Sequence, residues 1–206
     1  MPIQLSVLVK QVMQNVKYKG NTSDEELSNT IIRYGIFGAI GSGAFGIIPA
    51  GSVASVAVMT GVIWAMYVSI SKQLGVGFDK GLLKAIASAV VSDVAGMFVS
   101  FGIAFAVSFF PGVGSGVSAA ICAGSAFALV YVSGCVFLKL LSKLMGKDME
   151  GISEKEIRKM AKDATNDTDV KEIVKEAKKV HKEVKNDEKY KDLSDVKAAV
   201  EGIEDN

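Results

Sequence analysis

The chain has 206 residues, half of them apolar, with 21 Gly, 3 Pro, 2 Cys, a single His and a formal net charge of +1. Its mean hydropathy is +0.34. The charge is segregated, +4 over residues 1–146 and −3 over residues 147–206; this argues against a globule with charge interspersed along every element and predicts a membrane part followed by a soluble part.

Within residues 3–17, Leu5, Leu8, Val9, Val12, Met13 and Val16 recur at helical spacing, with Lys10 and Lys17 on the flanks. That spacing predicts an amphipathic helix that either packs on the rest of the protein or lies on an anionic membrane surface. The first thirty residues are too polar for the apolar core of a secretory signal, so the N-terminus is expected to stay where it is made. Residues 1–30 form this amphipathic N-terminal segment.

Ser23 and Glu26 have capping-box spacing, and Asp24 and Glu25 suit the positive end of a helix. The helix they start is expected to end at Pro49. Tyr34 to Ser71 contains no charged residue, which is too long for one span of ~20 residues. Pro49, Ala50, Gly51 and Ser52 interrupt it, so it reads as a hairpin over 31–72. After a polar connection, a second apolar stretch from Ala85 to Leu138 contains only Asp93 as a charge and is interrupted by Pro111, Gly112, Gly114 and Gly116. It reads as a second hairpin, 85–142. The expected fold is all-α: four apolar helices in two hairpins within a membrane domain over 31–146. A shift of 64 lays Tyr67-Val68-Ser69 on Tyr131-Val132-Ser133, as an ancient duplication would.

Small residues recur at spacing four: Gly35, Ala39 and Gly43; Ala57, Gly61, Ala65 and Ser69; Ser88, Ser92, Gly96 and Ser100; Gly116, Ala120, Gly124 and Ala128. Each set shares one helix face, so Gly61, Ser92, Gly96, Ser100 and Gly124 are expected to let helices approach closely in lipid. The hairpin turns carry no charge, whereas lysines flank both hairpins. The positive-inside tendency places both termini and the middle loop in the cytoplasm. Tyr34 to Ile48 spans only about 22 Å at 1.5 Å per residue, which leaves the first hairpin either spanning or re-entrant.

Residues 147–206 read as a charged helical cytoplasmic tail. Ser153 and Glu156 have capping-box spacing; Val170, Ile173, Val174, Ala177, Val180 and Val184 form one apolar stripe, and Leu193, Val196, Val200 and Ile203 another. Opposite charges meet at spacing three, while Lys171 meets Lys175 at spacing four. The tail is expected to dock on its own membrane part or on a partner.

Chemistry is sparse. The 108–120 stretch SFFPGVGSGVSAA lacks the Lys of a phosphate-binding P-loop, and Val117 stands where a dinucleotide fingerprint needs its third glycine. Gly41 to Gly46 matches the bare glycine pattern but lies inside an apolar helix, so these glycines read as turn and packing residues. His181 lies in a Lys/Glu-rich helix and reads as a solvated surface residue. Cys122 and Cys135 read as small buried hydrophobes. No catalytic, cofactor or metal site is expected, and the acidic tail without aromatic interleaving argues against nucleic acid. Asp93 is the one costly charge in the apolar region. A structural pair with Arg33 is favoured over a proton or ion path.

Residues 109–141, FFPGVGSGVSAAICAGSAFALVYVSGCVFLKLL, resemble the helical membrane domain associated with bacterial Era-like GTPases and the YcjF-type inner-membrane proteins. Pro111, Gly112, Gly114 and Gly134 carry the resemblance, with Ile48-Pro49 and Leu74-Gly75-Val76 in the first half. It implies a multi-pass module of the bacterial inner membrane serving a GTPase made as a separate chain, and no catalytic residues. The leading expectation is therefore a non-enzymatic integral membrane protein, an adaptor or effector whose tail meets a cytoplasmic partner. One alternative is a pore-former that inserts in the bilayer and assembles as a homo-oligomer. The other is a soluble helical bundle that binds a lipid-like ligand.

Overall fold

The structure, a computed structural model, describes residues 2–15, 22–44, 53–100, 119–145 and 153–204. Every regular element among them is helical: α1 (Ile3–Asn15), α2 (Asp24–Ala44), α3 (Val53–Gln73), α4 (Lys80–Ser100), α5 (Ala119–Leu144), α6 (Glu154–Asn166), α7 (Val170–Val184), a 3₁₀ turn (Glu188–Tyr190) and α8 (Ser194–Glu204). The all-α expectation holds. The turn residues Pro49, Gly51, Pro111, Gly112, Gly114 and Gly116 lie outside the described residues.

Local chemistry sets several boundaries. At the start of α2, Glu26 N–H donates to Ser23 Oγ while Ser23 N–H donates to the Glu26 carboxylate, the reciprocal pair expected from their spacing. The same box, Ser153 with Glu156, opens α6. α3 ends on Gly75 at φ 65°, where Val76 N–H reaches back to Ser71 O and Gly75 N–H to Lys72 O. This Schellman geometry needs the left-handed conformation that glycine adopts without penalty. Asp79 then caps α4 by accepting from Leu82 N–H, which starts that helix five residues before the expected Ala85.

Helices pack both within and between the two expected hairpins. The most extensive helix contact joins α2 to α5, one helix from each, and α5 also touches α1, α3, α4, α6 and α7. α5 is thus the axis of the fold. The tail helices share its core: Ile157, Ala161, Val170, Ile173, Ala177, Val180 and Val196 are buried in the same cluster as Phe127, Leu129 and Phe137. The tail docks on its own chain, one of the two expectations for it. α1 packs as well, with Leu5, Val9 and Val12 fully buried.

Two described helical segments, Lys80–Phe98 and Ala123–Leu144, are long and apolar enough to cross a bilayer. α2 carries Asp24, Glu25, Glu26 and Arg33 in its first ten residues, which shortens its uncharged part.

The small-residue stripes divide. On α4, Ser88, Ser92 and Gly96 face solvent while Ile86, Val90, Val94 and Phe98 face the core. The stripe expected to pack is therefore outermost, because the bulky residues gain more from burial. Its hydroxyls are satisfied within the helix, Ser88 by Lys84 O and Ser92 by Ser88 O. Among the described residues nothing lies within 4 Å of a Cβ added at Gly61 or Gly96, so neither receives a described neighbour as a close-approach glycine would. The side chain of Ser100 lies outside the described residues.

Close approaches occur instead on α2 and α5. A Cβ on Gly35 would stand 2.9 Å from the Phe127 ring, one on Gly38 3.0 Å from Val130, and one on Gly134 2.9 Å from Ile31. Each glycine makes a hole that receives a bulky side chain of the other helix. Gly124 faces His181 of the tail rather than another apolar helix.

Candidate functional site: a sheathed apolar helix

α5 combines span length with enclosure. Its apolar window, Ala123–Leu144, is 89% buried, against 39% for Lys80–Phe98 of α4. Bulky residues occur on all sides of α5, so no face of it suits water and every neighbour must cover one.

On the body side, Tyr67 of α3 stacks on Phe137 with ring centroids 3.9 Å apart. Its hydroxyl donates to Ser133 O at 3.0 Å, which satisfies the one polar atom this aromatic buries. Tyr131, its counterpart under the shift of 64, stands instead against Phe127 at 5.7 Å and donates to Glu176 Oε1 of α7 at 2.9 Å. The two tyrosines thus serve different purposes, one internal to the apolar helices and one joining them to the tail.

On the tail side, α7 lays Val170, Ile173, Val174, Ala177 and Val180 inward and keeps Lys171, Glu172, Lys175, Lys178, Lys179, Lys182 and Glu183 exposed. His181 belongs to the inner edge and not to the surface. It is half-buried, its ring 5.0 Å from that of Phe127 and 3.6 Å from where a Gly124 Cβ would stand. Burial, and then the nearby Lys185, hold its pKa below the ordinary value, so it is neutral in this packing. Its sequence surroundings are charged, but its helical phase, four residues after Ala177, turns it inward.

Polar clasps fasten the sheath at its edges. The Glu176 carboxylate accepts from Gln4 N–H at 2.8 Å and Leu5 N–H at 3.2 Å, capping α1 from α7. At the end of α5, Lys143 pairs with Asp167 at 2.6 Å and Lys139 donates to Asp167 O. The hydrogen bond and charge of Lys143 hold the Asp167 carboxyl below its usual range. On α2, Glu25 pairs with Lys189 at 2.9 Å and Asn29 accepts from the Tyr190 hydroxyl at 3.0 Å. Arg33 pairs with Asp195 and donates to Asp192 O at 2.8 Å.

The expected Arg33–Asp93 pair is therefore not formed. Arg33 is turned to the tail, where an exposed carboxylate and a free carbonyl offer a charge-assisted site. Asp93 sits half-exposed on α4, where water solvates it. A carboxylate reads as costly where its helix is surrounded by lipid; Asp93 is not enclosed by the rest of the chain.

An open groove of about 890 Å³ separates Pro2–Gln4, the first half of α2, α7 and Tyr190. Its charges largely answer one another: Glu25 with Lys189, Glu172 with Lys175, and Glu176 with the end of α1. It is a solvated seam between tail and body. Among the described residues no three His, Cys, Asp or Glu are grouped to hold a metal. Cys135 is a buried free thiol; the side chain of Cys122 is outside the described residues.

Among the described residues the exposed large apolar side chains are Ile3, Val7 and Ile40. The arrangement is an apolar helix of bilayer length with most of its window covered by the rest of the chain. In comparisons with known proteins, no family model, curated protein or solved structure matches the chain.

Proposed function

We propose that the protein is a non-enzymatic membrane-inserting protein that carries its apolar helices through water under the tail and permeabilises the bilayer it enters. One observation carries this reading. α5 is long and apolar enough to cross a membrane, yet α7 lies along its middle with an outer face of lysines and glutamates. That face cannot sit in hydrocarbon, where each central charge costs several kcal/mol. A bilayer-crossing α5 and an α5 covered by α7 are thus two different states of one chain, and insertion requires the sheath to leave.

The same reasoning disfavours a constitutive multi-pass protein with a free cytoplasmic tail, since that arrangement leaves α7 no reason to match α5 with a continuous apolar face. The uncharged stretches around both hairpin turns support entry, because they cross without carrying charge into lipid.

The test is fractionation followed by leakage. Protein expressed without detergent is expected in both the soluble fraction and the carbonate-resistant membrane pellet, and the soluble form should release dye from vesicles. Recovery in the pellet alone would replace this reading with the integral adaptor of a GTPase and its cytoplasmic termini. A soluble form that never releases dye would replace it with the lipid-binding bundle.

A further inference from the structure

Most of the lysines on α7 share one side. Lys171, Lys175, Lys178, Lys182 and Lys185 recur at spacings of four, three, four and three, all exposed, which sets them in one row over about 21 Å of helix. Glu172, Glu176 and Glu183 line the groove on the other flank, with Lys179 among them and Lys175 at its edge. Lys175 is paired with Glu172; among the described residues no acid lies within ion-pair distance of Lys178, Lys182 or Lys185. A solvated helix gains nothing from gathering five of its lysines in one row. Interspersed opposite charges at spacings of three and four would stabilise it more.

We infer that this lysine row is the surface by which the protein docks on a bilayer bearing anionic headgroups, and that docking is what draws α7 off α5. The inference rests on the insertion reading above and names the lipid class and the residues that begin it. Its occupant follows from charge and geometry. A straight row of ammonium groups meets a planar sheet of anionic headgroups along its whole length, and each lysine adds attraction at such a surface. The row also belongs to the one helix whose inner face, Val170, Ile173, Val174, Ala177 and Val180, covers α5. With the lysines at headgroup level, rotation of α7 about its axis carries that apolar face from α5 into the boundary between headgroups and acyl chains. There an amphipathic helix with a basic flank is stable. α7 exchanges one apolar partner for another, so the step leaves no apolar face in water, and α5 is uncovered at the membrane and not before.

The experiment uses the full chain and two readouts: flotation with vesicles of phosphatidylglycerol and phosphatidylcholine, and release of trapped dye. The wild type should float with the anionic vesicles, be released by high salt before it inserts, and ignore pure phosphatidylcholine. The triple variant Lys178→Gln, Lys182→Gln, Lys185→Gln should partition at least ~30-fold more weakly, while the triple Arg variant binds as the wild type does. The Gln side chains are exposed, and an unchanged circular dichroism melt confirms folding. Equal flotation of the Gln variant, or equal binding to neutral and anionic vesicles, would overturn the lysine row. If the wild type floats and is salt-released but never leaks dye, the docking surface stands and the insertion reading fails. If the Gln variant fails to float yet leaks dye at raised concentration, insertion stands and the row is confirmed as its guide.

Discussion

α4 and α5 meet the same criterion of length and hydropathy, yet one is 39% buried and the other 89%. α4 keeps its bulky residues on one side and shows water Lys84, Ser88, Ser92 and Gly96. Lys84 is further anchored over the Trp64 ring at 5.0 Å, where a cation is attracted to the π face. α5 has no such side. Apolar helices that meet one length and hydropathy criterion therefore place different demands on the rest of the chain, and α7 of the tail answers those of α5.

The largest effect should come from breaking the cover. Ala177 is fully buried on the inner face of α7, and Ala177→Asp would strand a carboxylate there at a cost on the order of 3–5 kcal/mol. Urea denaturation should show the loss, with dye binding to exposed apolar surface. Ser92→Asp on α4 should stay within about 0.5 kcal/mol. Equal losses at the two sites would erase the contrast.

Next come the glycines. Gly134→Ala brings a methyl onto three carbons of Ile31 at 2.9 to 3.2 Å, so the whole side chain must move, at about 1–3 kcal/mol. Gly96→Ala meets nothing within 4 Å among the described residues and should stabilise by up to about 1 kcal/mol through helix propensity. Thermal melts of the two variants should shift in opposite directions.

A third effect separates the helices by pH. The folded pKa of His181 is depressed by burial and then by Lys185, so the unfolded chain binds its proton more readily. The stability of neutral His181 is complete above the unfolded value of ~6.5 and is lost as pH falls through it towards the folded one. Among the described residues the groups facing the ring are Phe127 and Gly124 from α5, both uncharged, and Lys185 from the end of α7; none of these is an acid that would rescue the imidazolium. The urea midpoint should fall between pH 7.5 and 5.5, and His181→Gln should flatten that fall. Asp167 and Glu25, held low by Lys143 and Lys189, lose their contribution only below the ordinary carboxylate range, so the two windows are separable.

Much of this fold was legible in residue order. Both capping boxes and the α7 stripe follow from local rules that tertiary contacts did not override. The stripe of α4 was misread because periodicity fixes which residues share a face but not which way the face turns. A row of Ser and Gly is equally consistent with a packed seam and with a surface that tolerates water. His181 was misread because its neighbours in sequence are charged, although Ala177 four residues earlier marks the inward phase. The close-approach glycines were half visible: Gly35 stood in a spacing-four row, whereas Gly38 matters only because Val130 lies opposite. The charged tail looked separate because segregation of charge along a chain says nothing about whether one segment covers another.

The smallest effect decides where Arg33 belongs. Asp195 is 67% exposed and Arg33 29% exposed, so their pair is screened and Asp195→Asn should cost no more than about 1 kcal/mol. Even so, the loss should disappear in an Arg33→Gln background, because a double-mutant cycle isolates the coupling between them. Asp93→Asn should change stability by less than about 0.5 kcal/mol in either background. A coupling of Asp93 to Arg33 as large as that of Asp195 would turn α4 towards α2 and place its small-residue stripe back in a seam. α4 would then need cover as α5 does, and the difference between the two helices would vanish.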